Sequence, residues 1–164
     1  MNALVSVWDK TGLTEFAEGL VGLGWTIYAT EGTARYLESK GIPVRRLSEL
    51  TGLEESEKIK TLHPAVFERI YSGFFKIVVV NLYELKDVEG LDVGGVALLR
   101  ASVKSYKNVL PVCRPELYGE VLNRLKADGI EEDFRLRLAA EAMRYVIDYD
   151  RRILEKLEKK IRNI

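Results

Sequence analysis

The sequence predicts a three-layer α/β sandwich, a parallel β-sheet covered by helices on both faces. Three observations carry this. Short apolar runs rich in β-branched residues alternate along the chain with segments whose apolar residues recur every three or four positions. The turns between them are short, which favours strand–helix–strand crossovers. The strongest run, KIVVVNL at 76–82, has an unbroken apolar centre, as expected of a strand buried on both faces.

The elements follow in order. Residues 3–7 (ALVSV) predict the first strand. Asp9, Thr11 and Gly12 supply a turn and cap. Leu13, Phe16, Ala17, Leu20 and Leu23 then mark one face of a helix that Gly24 ends. Residues 25–29 (WTIYA) predict a second strand and Thr30–Thr33 the turn after it. A short helix over Thr33–Lys40 stops at Gly41, and Pro43 blocks its continuation. Residues 44–50 predict a third short strand or extended segment, and 51–60 a polar loop. Pro64 suits the first turn of a helix. After the strand at 76–82, Gly94 and Gly95 precede a helix over roughly 95–106. Residues 108–113 (NVLPVC) predict a further strand, which Pro111 assigns to an edge or a bulge. Two helices close the chain, near 115–128 and 131–162. The last carries Ala139, Met143, Val146, Ile147, Ile153, Leu154, Leu157 and Ile161 on one side. One domain over 1–164 is expected, with its core at about 3–128 and a C-terminal helical segment at about 131–162.

Composition narrows the function. The 164 residues are 47% hydrophobic and 30% charged, an ordinary globular balance. The 25 Lys+Arg balance 25 Asp+Glu, so the basic excess of a general nucleic-acid binder is missing. One Cys forbids an internal disulfide and a Cys-rich metal site, and one His forbids a site of several histidines. No basic n-region precedes an apolar stretch, and nothing reaches the ~18 apolar residues of a membrane span. A cytoplasmic protein without a membrane partner is the expectation.

In parallel α/β sheets, ligands sit at the carboxyl ends of the strands. Four such places stand out: Ser6–Gly12, Thr30–Thr33, Asn81–Tyr83 and Asp92–Gly95. Thr30-Glu31-Gly32-Thr33 is a hydroxyl-rich turn at a helix start, able to hold a phosphate or simply to cap the helix. Lys10 is a phosphate ligand or a solvated charge. Neither loop matches a Walker A or GxGxxG pattern. Lys58-Ile59-Lys60-Thr61-Leu62-His63-Pro64 places two lysines on one side of an extended stretch, a local anion site. His63 reads as structural, Asp92 as a capping residue, and Cys113 as a buried reduced thiol. Arg100 and Lys104 share a helix face. Residues 150–164 hold six bases against three acids, the solvated side of an amphipathic helix whose apolar stripe also suits a dimer contact.

In combination these segments resemble the IMP cyclohydrolase domain of the bifunctional purine-biosynthesis enzyme that also carries AICAR transformylase. Ser6-Val7-Trp8-Asp9-Lys10-Thr11-Gly12 is similar to the family's SVSDKTG, and Ala29-Thr30-Glu31-Gly32-Thr33-Ala34 to its ASGGTA loop. Lys58 through Pro64 resembles RVKTLHP, Asn81-Leu82-Tyr83 the start of NLYPF, and Asp92 through Lys104 DIGG…LIRAAAKN. The resemblance implies a methylglyoxal-synthase-like, Rossmann-like fold and a free-standing cyclohydrolase that closes formyl-AICAR ribonucleotide to IMP. It implies no cofactor and no metal, a homodimer, and a separate formyl-transferring enzyme upstream. It selects Lys60, Tyr83, Asp92 and Lys104 for the chemistry. Ser6, Lys10, Thr30, Gly32, Thr33, Lys58, Thr61, Asn81, Gly94 and Gly95 would bind the purine ribonucleotide. Asp92 and Lys104 are expected to move the protons, and Lys60 with Asn81 and Tyr83 to hold the carboxamide and formyl oxygens. Glu31 departs from the family's Gly, Trp8 from its Ser, and Glu84 from its Pro; the stretch between Arg69 and Lys76 is shortened. The alternatives are a methylglyoxal-synthase-like lyase acting on a phosphosugar and a non-catalytic nucleotide-sensing module.

Overall fold

A computed structural model describes residues 1–52, 61–127 and 129–163. Five parallel strands form one sheet: β1 (Asn2–Val7), β2 (Thr26–Ala29), β3 (Arg45–Arg46), β4 (Phe75–Asn81) and β5 (Leu110–Val112). Their spatial order is β3-β2-β1-β4-β5. The order reverses on either side of β1, so the crevice between β1 and β4 is the topological switch point.

Side chains alternate across this sheet as the pleat requires. Ala3, Val5, Ile27, Ala29, Ile77 and Val79 point to one layer, where α1 (Leu13–Gly22), α2 (Glu31–Ser39) and α6 (Tyr118–Lys126) pack. Leu4, Tyr28, Val78 and Val80 point to the other, where α4 (Pro64–Tyr71) and α5 (Val93–Lys104) pack. The 31-residue helix α7 (Glu132–Arg162) serves both layers. Phe134 and Leu138 join the first, and Ala142, Val146 and Tyr149 the second. Pro111 lies on edge strand β5 opposite Val78, where its missing N–H is harmless.

Three boundaries differ from expectation. Helix α2 starts at Glu31, so the Thr30–Thr33 turn is the helix's own first turn. Helix α5 starts at Val93 and contains both glycines. The third strand is only two residues long, because the chain turns into the short helix α3 (Ser48–Thr51). The expected polar loop at 51–60 lies mostly outside the described residues. The apolar stripe of α7 also divides. Val146 and Ala139 are buried, whereas Ile147, Leu154, Leu157 and Ile161 are exposed. Among the described residues, no helix is long and apolar enough to cross a membrane.

Cys113 sits at the end of β5, and burial pushes its thiol up to about 12. The native protein is therefore expected to resist a thiol-specific colorimetric reagent at pH 8, and to react at one thiol per chain once denatured. Rapid labelling of the folded chain would contradict this packing.

Candidate active site

A cavity of about 440 Å³ opens at the carboxyl end of β1, within the range of small-molecule sites. Ser6, Lys10, Thr30, Gly32, Thr33, Thr61, Asn81, Tyr83, Asp92, Gly94 and Gly95 all line it. Each side of the switch point contributes one wall.

The first wall joins β1 to the start of α2. Thr30 has the extended backbone of an N-cap, yet its hydroxyl makes no capping bond. It faces β1 instead, 3.3 Å from the Ser6 hydroxyl. Thr33 Oγ1 accepts from the Val7 N–H at 3.2 Å and lies 3.3 Å from the Val7 carbonyl. The hydroxyls thus tie the helix start to the strand end. Gly32 lies in the first turn of α2 and lines the cavity, and a Cβ on it would meet nothing within 4 Å. An anion is favoured at such a helix start. Glu31 does not oppose it. Arg46 and Arg35 hold its carboxyl below the usual range, and its ion pair with Arg35 measures 2.8 Å. Lys10 folds its amine back onto the Val7 and Trp8 carbonyls. Burial lowers its pKa, with Asp9 pulling the other way.

The second wall is the loop between β4 and α5. Asn81 is a brace: its Oδ1 accepts from the Trp8 and Asp9 N–H groups at 2.5 and 2.9 Å, and its Nδ2 donates to the Asp9 carbonyl at 2.8 Å. Asp92 caps α5, accepting from the Gly95 N–H at 2.6 Å and from the Tyr83 N–H at 3.2 Å. It is 7% exposed, so a carboxylate is held at the cavity wall by backbone donors. Two tyrosines of α7 support this loop from behind. Tyr145 Oη accepts from the Leu82 N–H at 3.0 Å, and Tyr149 Oη from the Asp92 N–H at 2.8 Å. Burial raises both phenol pKa values, keeping the hydroxyls neutral.

Lys58 and Lys60 lie outside the described residues. Lys104 ends α5, with its amine 5.5 Å from the centre of the Tyr71 ring, and does not line the cavity. It stands twelve positions beyond the Asp92 cap, about 18 Å along the helix axis. The expected Asp92–Lys104 proton-transfer pair therefore does not meet within one chain. His63 caps α4, accepting from the Ala65 N–H at 3.2 Å through Nδ1, in keeping with a structural residue. The cavity also has an apolar lining that was not among the expected site residues: Leu62, Leu91 and Val93, together with Trp8. Only Trp8 carried a signal, as a large aromatic within a polar turn.

Fold and cavity together define an α/β domain with a cavity at the carboxyl ends of its parallel strands. The chain belongs to the MGS-like domain family, whose pattern matches residues 12–106. Residues 102–163 match a second family, the AICARFT/IMPCHase bienzyme. Similar curated proteins bear the name bifunctional purine biosynthesis protein PurH. That of Staphylococcus carnosus is 36% identical over 92% of this chain and 37% of its own length. That of Rhodopirellula baltica is 37% identical over 96% of this chain and 36% of its own length. The chain thus spans little more than a third of these relatives. A solved structure titled "Crystal structure of ForH" superposes with a TM-score of 0.87 at 31% identity, covering 96% of this chain and 97% of that one.

Proposed function

We propose that this chain is an IMP cyclohydrolase, closing formyl-AICAR ribonucleotide to IMP with loss of water. One observation carries the reading: four separate strand-end segments, each matching a motif of the family, converge on a single cavity. The purine-biosynthesis relatives support it.

The reaction joins the carboxamide nitrogen to the formyl carbon. An amide nitrogen is a weak nucleophile, so orientation and charge stabilisation must supply most of the rate. In this reading Gly32, Thr30, Thr33, Ser6 and Lys10 receive the 5′-phosphate at the start of α2. Thr61, Asn81 and the Gly94–Gly95 backbone bound the base. As the N–C bond forms, a proton leaves the amide nitrogen and the formyl oxygen becomes a hydroxyl. A second proton then lets that hydroxyl depart as water while the former formamide nitrogen gives up its own proton, leaving a C=N bond in the closed ring. Asp92 takes the amide proton, and Tyr83 with Lys60 steadies the developing oxyanion. Lys58 assists at the phosphate.

The working unit is a homodimer, and Lys104 reaches the chemistry from the second copy. Equimolar mixing of two inactive proteins, Asp92→Asn and Lys104→Ala, is then expected to regain up to about a quarter of parental turnover. No recovery on mixing, with both variants dimeric and exchanging subunits, would remove Lys104 from the partner's site.

The direct test is to supply purified protein with formyl-AICAR ribonucleotide, without added metal, and follow IMP by absorbance and chromatography. Formation of IMP that Asp92→Asn abolishes supports the reading. Binding of the nucleotide without turnover would favour a sensing module.

A further inference from the structure

We infer that Trp8 is an aromatic platform against which the ligand's planar base stacks, making the cavity selective for nucleotides over simple phosphosugars. The inference rests on the nucleotide reading above and names what recognises the base.

Trp8 is 54% exposed, which is unusual for the bulkiest side chain of a folded protein. It follows directly on β1 and lines the main cavity as well as an adjoining groove that contains Arg114 and Tyr145. The Asn81 brace fixes its backbone from across the switch point. Tyr83 steadies its ring, with centroids 5.2 Å apart and planes at 85°. An edge-to-face contact covers at most one face of one ring. An indole is therefore held in place, with surface to offer, at the edge of a cavity.

The cavity's ends differ in chemistry. Toward α2 lie a helix N-terminus, an open glycine and hydroxyls, suited to an anion. Beside Trp8 stands the Tyr83 ring, and the Tyr83 N–H bonds to Asp92, whose chain neighbours Leu91 and Val93 line the same cavity. A ligand that satisfies both ends carries a phosphate on one side and a flat, apolar-faced ring on the other. A three-carbon phosphosugar has nothing to set against the indole. Stacking a base on an aromatic side chain strengthens binding about tenfold or more.

The test compares the parent chain with Trp8→Leu and Trp8→Phe, titrated with IMP and with ribose 5-phosphate. The second tryptophan, Trp25, is 6% exposed in the core, so ligand-dependent changes in fluorescence report on Trp8. IMP is expected to quench the parent's emission. Its affinity, read for all three proteins by titration calorimetry because the variants lack the reporting indole, should fall about tenfold or more in Trp8→Leu and recover largely in Trp8→Phe, while ribose 5-phosphate binds all three alike. Equal IMP affinity in the parent and Trp8→Leu would overturn the platform and leave the nucleotide reading standing. Failure of IMP to bind the parent, with ribose 5-phosphate still binding, would overturn both.

Discussion

The Asp92→Asn protein is expected to form IMP at least roughly a hundredfold more slowly than the parent while melting within a few degrees of it. The asymmetry comes from the two tasks of one carboxylate. Structurally, Asp92 accepts two backbone N–H groups, one closing the first turn of α5 and one fixing the β4–α5 loop. Asparagine caps a helix about as well as aspartate, so the Gly95 bond survives. Its amide nitrogen cannot accept from Tyr83, and that loss costs about 1 kcal/mol. Chemically, asparagine cannot take a proton. Asp92→Ala should lose both tasks, because two donors at a site only 7% exposed lack their acceptor. Its melting temperature should fall by roughly 5–10 °C, as for a penalty of about 2–4 kcal/mol in a domain of this size. Turnover assays paired with thermal unfolding separate the two substitutions. Parental turnover in Asp92→Asn would exclude the carboxylate from proton transfer.

Gly95→Ala is expected to be a strongly damaging single-methyl change in the cavity wall. A Cβ there would lie 2.7 Å from Leu82 Cδ2 and 2.8 and 2.9 Å from the two Asp92 oxygens. It would press at once on a buried side chain and on the capping carboxylate. Overpacking of this kind costs about 1–3 kcal/mol, a drop of roughly 3–10 °C in melting temperature. IMP binding should weaken as well, since the displaced carboxylate forms part of the wall. Gly32→Ala is the control. Its Cβ would meet no protein atom within 4 Å. Melting should stay at the parental value, and the phosphate-bearing ligand alone should bind more weakly. Equal melting temperatures for the two glycine variants would refute the packing described around Gly95.

Much of this was legible before any coordinates. Alternation and the apolar centre of 76–82 suffice for a parallel sheet, because burial on both faces leaves little other use for such a run. The strand-end rule led to Ser6, Thr30, Asn81 and Asp92 without any distance. What was not legible has physical causes. Helix α2 begins at Glu31 because the hydroxyls of Thr30 and Thr33 bond to β1, a tertiary choice that local capping preference does not encode. The reach of Lys104 depends on the straightness and length of α5, which spacing within a motif conceals. The apolar lining escaped because Leu62, Leu91 and Val93 look like ordinary core residues in the sequence. The outer stripe of α7 looked continuous with the inner one because periodicity finds an apolar face without telling what covers it.

The tyrosines of α7 give the chain an unusual map of sensitivity. Leu82 and Asp92 hang from hydroxyls 63 and 57 positions further along the sequence. The shape of the binding pocket is therefore written partly in a segment that contributes nothing to its lining. A screen scored on ligand affinity would flag Tyr145 and Tyr149 beside the motif residues. A chain trimmed to the residues that line the pocket would keep every one of them and lose the posture in which they are useful.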